Sequence, residues 1–181
     1  MAFGTVLIVS GAPGAGKSSV ARSLATKSPR DQAVHLHTDD FYASIVKGFI
    51  EPWRAEAHAQ NAAVMAALVA SCARYAEGGF EVVVDGVVGP WFLEPWLALA
   101  RSGVDVHYVV LRPNEATNIA RGTARTAPGA MTDASVISQM WQRFADLGAF
   151  EPHALDTTAL TLDETAARVR LAVTQRRILL G

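Results

Sequence analysis

The chain has 181 residues, half of them apolar, and sets 16 Lys and Arg against 17 Asp and Glu for a net charge of −1. That composition supports a sizeable core within a single domain of ordinary size, and the balanced charge gives no electrostatic basis for a nucleic-acid or membrane-surface partner. Cys72 is the only cysteine, which excludes a disulfide framework and fits a reducing, cytoplasmic setting; no stretch approaches the roughly 18 apolar residues of a membrane span.

Residues 3–9 predict a buried strand, and the run Gly11-Ala12-Pro13-Gly14-Ala15-Gly16-Lys17-Ser18 follows it at once. This is a complete G-x-x-x-x-G-K-[ST] motif in strand–loop–helix context, with a helix over 17–26. Such a loop points its backbone N–H groups at a phosphate, and the helix N-terminus adds its positive end. Lys17 is then expected to reach the β- and γ-phosphates and the Ser18 hydroxyl to ligate Mg²⁺. ATP and Mg²⁺ are the expected cofactors, with Gly11, Gly14, Ala15, Gly16, Lys17, Ser18 and Ser19 as the nucleotide-binding candidates.

A short second strand over 33–37 ends at Thr38-Asp39-Asp40. Residues 40–78 read as helical, broken near Gly48 and Pro52 and stopped by Gly78-Gly79. A third strand over 80–84 runs into Asp85-Gly86, followed by a helix over 90–102 with Pro90 in its first turn. A fourth strand spans 104–111, and a helix starts after Pro113. The breaker-rich stretch Thr126-Ala127-Pro128-Gly129-Ala130 separates it from a helix over 133–147. A weak fifth strand at 153–156 and a helix over 162–179 complete the chain. Strands alternating with helices imply a parallel sheet covered on both faces, and such sheets bind ligands at the carboxyl ends of their strands. That rule gathers the glycine-rich loop, Asp39, Asp40, Asp85, Arg112 and Asp156 along one edge.

Asp85 ends a valine-rich strand, the Walker B pattern, and is expected to hold Mg²⁺ beside Ser18. Asp39 and Asp40 offer a carboxylate to orient and deprotonate an attacking hydroxyl, or simply a helix cap. Adjacent residues at a strand end point to opposite sides, so the two are expected to differ in role. Arg121 and Arg125, one helical turn apart before the breaker-rich stretch, suit stabilisation of a transferring phosphoryl group, with an exposed arginine pair as the alternative. Arg112 suits either adenine stacking or support of a lid. Trp91 reads equally as pocket wall or core anchor. Arg54, His58, Asn61 and Met65 share one helical stripe, which faces either an acceptor or solvent. His35, His37, His107 and His153 lack paired metal-ligand spacing and read as structural.

The chain resembles small P-loop kinases of the group containing shikimate kinase, gluconate kinase and chloramphenicol phosphotransferase. The resemblance rests on Gly11 to Ser18, with support from Thr38-Asp39-Asp40-Phe41-Tyr42, the arginines near 121–125, and Leu155-Asp156-Thr157-Thr158. It implies a three-layer α/β P-loop NTPase fold with five parallel strands in the order 2-3-1-4-5. It also implies a lid over 122–133 that closes on ATP, and an acceptor seated between the second and third strands. Asp40 then contacts the acceptor, Asp39 faces the metal or caps the helix, and Thr158 belongs to the backbone edge near adenine. The expected function is ATP-dependent phosphorylation of a small hydroxylated molecule. A nucleotide kinase needs arginines for a second phosphate, yet residues 38–90 hold only Lys47, Arg54 and Arg74. A regulatory ATPase without an acceptor is the alternative of a different class.

Overall fold

The computed structural model describes residues 3–127 and 129–181. Five parallel strands form one sheet in the order β2-β3-β1-β4-β5. They are β1 (Thr5–Ser10), β2 (Ala33–His37), β3 (Glu81–Gly86), β4 (Asp105–Leu111) and β5 (Ala154–Leu155). The fold class and strand order are those expected from the sequence. Alternation along the central strands builds the layers, because successive side chains point to opposite faces. Val6 and Ile8 join one buried cluster with Val82 and Val84, while Leu7 and Val9 join another with Val83 and Val109.

The first cluster is covered by α3 (His58–Glu77) and α4 (Glu94–Arg101), which contribute Leu68, Cys72, Ala76 and Trp96. The spacing of Leu68, Cys72 and Ala76 sets one face of α3 on the sheet. The second cluster is covered by α1 (Lys17–Thr26) and α7 (Leu162–Thr174), through Val20, Leu24 and Val169. The remaining helices are α2 (Thr38–Ala43), α5 (Glu115–Thr123) and α6 (Ala134–Gln142). No helix among the described residues is long and apolar enough to cross a membrane.

Several boundaries differ from the expectation. The predicted helix over 90–102 is a 3₁₀ turn, Pro90–Phe92, followed by α4. The predicted helix over 133–147 ends at Gln142, and Arg112 donates to the Phe144 and Ala145 carbonyls just beyond it. The last helix ends at Thr174 rather than 179, although no glycine marks the stop. Arg176 takes a left-handed conformation, φ 55°, and its N–H and that of Arg177 donate to the Val173 and Ala172 carbonyls. This is a Schellman closure made by a residue that rarely adopts it. The released tail pairs with β4: Tyr108 N–H donates to Ile178 O and Leu180 N–H to Val106 O, both at 2.8 Å. It thereby covers the β4 edge that two-residue β5 leaves open.

Candidate active site

The glycine-rich loop joins β1 to α1 at the carboxyl edge of the sheet. Gly14 sits at φ 91°, and a Cβ there would lie 2.4 Å from the Asn118 carbonyl oxygen, so only glycine fits. Lys17 Nζ donates to the Ala12 carbonyl at 3.0 Å, folding the side chain over the loop. Burial lowers the Lys17 pKa to about 8, against the opposing pull of Asp85 and Asp39. The Ser18 hydroxyl donates to Asp85 Oδ2 at 2.6 Å, which brings the two expected Mg²⁺ ligands together.

Asp85 is fully buried and carries more partners than the sequence suggests. His35 Nε2 lies 2.5 Å from its Oδ1, and His37 Nδ1 lies 3.0 Å from its Oδ2. The first contact has hydrogen-bond geometry; the second is close enough for an ion pair but is not aligned as a hydrogen bond. Burial alone would raise the Asp85 pKa, but contacts from the two imidazoles and the Ser18 hydroxyl hold it well below the usual carboxylate range. His37 also meets Asp39, Nε2 to Oδ2 at 3.1 Å. The Asp39 contact, followed by Asp85, pushes the His37 pKa up to about 10, and the same contact holds the Asp39 carboxyl low. These two histidines, expected from sequence to be structural, both contact Asp85. They are i and i+2 on β2, hence on one face, and His37 pairs in register with Asp85. That spacing beside a Walker B strand was the available signal.

Beyond the loop opens a cleft of about 710 Å³, within the usual range for small-molecule sites. Lys17, Ser18, His37, Asp39 and Arg125 supply its polar lining beside the loop, and Tyr42, Phe49, Trp53, Met65, Trp91 and Met140 supply much of its apolar lining. The structure sets the two carboxylates apart. Both are exposed, but Asp39 lines the cleft, whereas Asp40 lies outside the lining and uses its carbonyl to accept from Ser44. Since Thr38–Ala43 is already helical, the strand-end alternation no longer governs these two residues, and Asp39 turns toward His37.

The arginines also separate. Arg125 lines the cleft close enough to Lys17 to depress its pKa. Arg121 instead donates to the Thr157 and Thr158 carbonyls at 3.3–3.4 Å, away from the cleft, so it braces that segment. Thr158 in turn accepts from Asn114 N–H and donates to Asp156, and these bonds fix the loop before α7. Arg112 is bound to Glu151 and to the Phe144 and Ala145 carbonyls after α6, so its guanidinium ties down that segment. The expected stripe is shorter than predicted, because Arg54 precedes α3: Asn61 and Met65 reach the cleft, while His58 and Arg54 do not. Trp91 is a cleft wall, 40% exposed, with the Arg143 guanidinium 4.2 Å from its ring centroid. Ser19 lies beside Ser18 on a shallow groove with Arg22. Pro128, placed in the lid by sequence, lies outside the described residues.

Residues 6–147 match the family model of an AAA domain. The chain belongs to that family. No curated protein gave a significant match. Among solved structures, the tunicamycin resistance protein of Deinococcus radiodurans is similar at TM-score 0.69 and 12% identity, covering 98% of this chain and 99% of that one. A gluconokinase from Sinorhizobium meliloti 1021 gives 0.68 and 19%, covering 98% and 95%. The APS kinase of Mycobacterium tuberculosis gives 0.58 and 20%, covering 96% and 99%. At these identities the likeness is one of fold, and this AAA domain has the fold of small P-loop kinases.

Behind the cleft, the AAA domain holds the segment after Asp85 rigidly. The Ser10 hydroxyl donates to Val88 O at 2.7 Å and accepts from Val88 N–H at 3.0 Å, and Tyr108 Oη donates to the same carbonyl at 2.7 Å. Gly86 lies against Thr38: a Cβ would fall 2.1 Å from Thr38 Cγ2. These contacts present Gly86 and Val87 to the cleft as a fixed floor.

Proposed function

We propose that this AAA domain is an ATP- and Mg²⁺-dependent phosphotransferase that phosphorylates a hydroxyl of a small molecule. The observation that carries this reading is the convergence of Lys17, Asp39 and Arg125 on one large cleft. A nucleotide-hydrolysing switch has no need of an acceptor cavity at that position.

The residues present suit the cofactors. The loop follows a buried strand, its glycines keep Cβ atoms out of the cradle, and a cation and a helix N-terminus face it. Ser18 and Asp85 supply the hard oxygen donors that Mg²⁺ prefers. When bound, Mg²⁺ neutralises charge on the phosphates. Lys17 leaves the Ala12 carbonyl to hold the β- and γ-phosphates. Arg125 spreads the negative charge of the transferring group, where preorganised charge is most effective. Asp39 orients the acceptor hydroxyl and takes its proton. His37 fixes the orientation of that carboxylate and keeps it ionised. Asp40 has no part in this assignment.

The test is an ADP-release screen of the purified protein with Mg-ATP and hydroxylated small molecules, followed by mass measurement of the product. A product heavier by one phosphate supports transfer. ADP release that no added molecule stimulates supports the acceptorless ATPase instead.

A further inference from the structure

Resting on the phosphotransferase reading, we infer that the acceptor is a neutral, bulky apolar alcohol rather than a sugar acid, a sugar phosphate or a nucleotide. Three independent features of the cleft lead there.

The first is where exposed apolar surface is concentrated. Among the described residues eight large hydrophobic side chains are exposed, and three of them, Phe49 at 49%, Trp53 at 48% and Trp91 at 40%, line this one cleft. Exposed apolar surface gathered in a concavity marks a binding surface. Met65, Met131 and Met140 complete the lining with side chains that adapt to irregular apolar shapes.

The second is charge. The cationic side chains of the lining are Lys17, His37, Arg125 and Arg143. Lys17 and Arg125 serve the phosphates, His37 is held by Asp39 and Asp85, and Arg143 is stacked on Trp91. Among the described residues Arg143 is the one lining cation left to face the acceptor, against the carboxylates of Asp39 and Glu51. An anionic acceptor would meet two carboxylates with a single counter-charge.

The third is hydrogen bonding. Asn61 is buried, and both ends of its amide are used: Oδ1 accepts from Tyr42 Oη at 3.0 Å, and Nδ2 donates to Pro52 O at 2.8 Å. The Tyr42 hydroxyl is thereby also occupied. Gln60 closes the loop bearing Phe49, accepting from Ile50 N–H at 2.8 Å and donating to Ile50 O at 2.6 Å. These bonds hold the pocket in shape and use up its amide and hydroxyl donors. A sugar's hydroxyls would find acceptors at Asp39 and Glu51 but few donors, whereas an apolar body requires neither.

Isothermal titration calorimetry with the full chain tests this, with Mg²⁺ and a non-hydrolysable ATP analogue filling the nucleotide site. The probes are naphthylethanol, gluconate and AMP. Naphthylethanol is expected to bind at least tenfold tighter than either anion. Trp53→Ala or Phe49→Ala is expected to weaken it by about tenfold, the scale of removing one aromatic ring from the pocket wall, with unchanged affinity for the ATP analogue. Both side chains are half exposed, so melting temperature should hold and separate impaired binding from impaired folding. Tighter binding of gluconate or AMP overturns the inference, as does naphthylethanol binding that survives both substitutions. ADP release is read in parallel with ATP. Its absence with every probe, while naphthylethanol still binds at Trp53 and Phe49, refutes phosphoryl transfer and upholds the pocket chemistry.

Discussion

Asp39→Asn is the sharpest perturbation of this site, because the neighbouring Asp40→Asn supplies an internal control of identical chemistry. Asp39 lines the cleft and meets His37 at 3.1 Å; Asp40 lies outside the lining. The amide keeps the shape of the side chain but cannot take a proton. Loss of a general base slows a reaction about 10²–10⁴-fold, and a loose phosphoryl-transfer transition state places the effect toward the lower end. A 10²-fold loss corresponds to about 2.7 kcal/mol of barrier. The Asp39 side chain is 76% exposed, so removing its charge from the His37 pair should change stability by only about 0–1 kcal/mol. The two effects are therefore separable. ADP release at saturating Mg-ATP and acceptor should fall at least about 10²-fold in Asp39→Asn and less than about twofold in Asp40→Asn, with melting temperatures close to wild type. The Asp39 carboxyl is held below its ordinary range, first by His37, so base function should persist throughout the neutral range and down toward pH 4. A large loss in Asp40→Asn with full activity in Asp39→Asn would refute this reasoning and return the base to Asp40.

Arg125→Ala should lower turnover by up to about 10³–10⁵-fold, the range for arginines that stabilise phosphoryl transfer, while ADP affinity measured by calorimetry changes little; equal losses in both would make Arg125 a ground-state binding residue. Gly86→Ala should cost about 1–3 kcal/mol by overpacking, because its Cβ would fall 2.1 Å from Thr38 Cγ2; denaturant unfolding checks this, and adding Thr38→Ala should recover part of the loss. His107 is 2% exposed, with Nδ1 unpaired and with Asp105 and Arg176 as charged neighbours, and burial lowers its pKa below the ordinary 6.5. The unfolded chain then binds the proton more readily, so this contribution to stability is complete above about pH 6.5 and is lost as pH falls toward the folded value. Melting temperature measured from pH 7.5 to 5 should fall with acid in wild type and less steeply in His107→Leu.

The order of elements was legible because each carries a local signal. The valine-rich strands, the glycine-rich loop and Gly78-Gly79 state their roles within a few residues. The five-strand order came from family resemblance, since pairing between distant segments leaves no local trace. Two helix ends were misjudged for a physical reason: Arg176 terminates α7 in a conformation usually left to glycine, and carbonyls beyond α6 are satisfied by Arg112 from another element. Within the site, Lys17, Ser18 and Asp85 were readable from motif chemistry. The different placement of Asp39 and Asp40 was not, because it depends on α2 starting at Thr38 rather than on the strand continuing. The contacts of His35 and His37 were not legible because they depend on the register of β2 with β3, which brings them to a carboxylate some fifty residues away.

The same long-range dependence explains how the glycine-rich loop is joined to the segment bearing Arg125. Asn118, fully buried on α5, donates through Nδ2 to the Pro13 carbonyl at 2.7 Å. A Cβ at Gly14 would come within 2.9 Å of Gly122 Cα, and one at Gly122 within 2.7 Å of Ile137 Cδ1. Loop, α5 and α6 are therefore packed closely, with glycine at both crossings. Packing this close transmits a displacement rather than absorbing it. Arg125 follows α5 by two residues. One short path of contacts, Pro13 to Asn118 and Gly14 to Gly122, thus joins the loop to the helix that precedes the cleft's arginine. Neither glycine advertises this in sequence: Gly14 reads as part of a phosphate motif, and Gly122 as an unfavourable residue inside a helix.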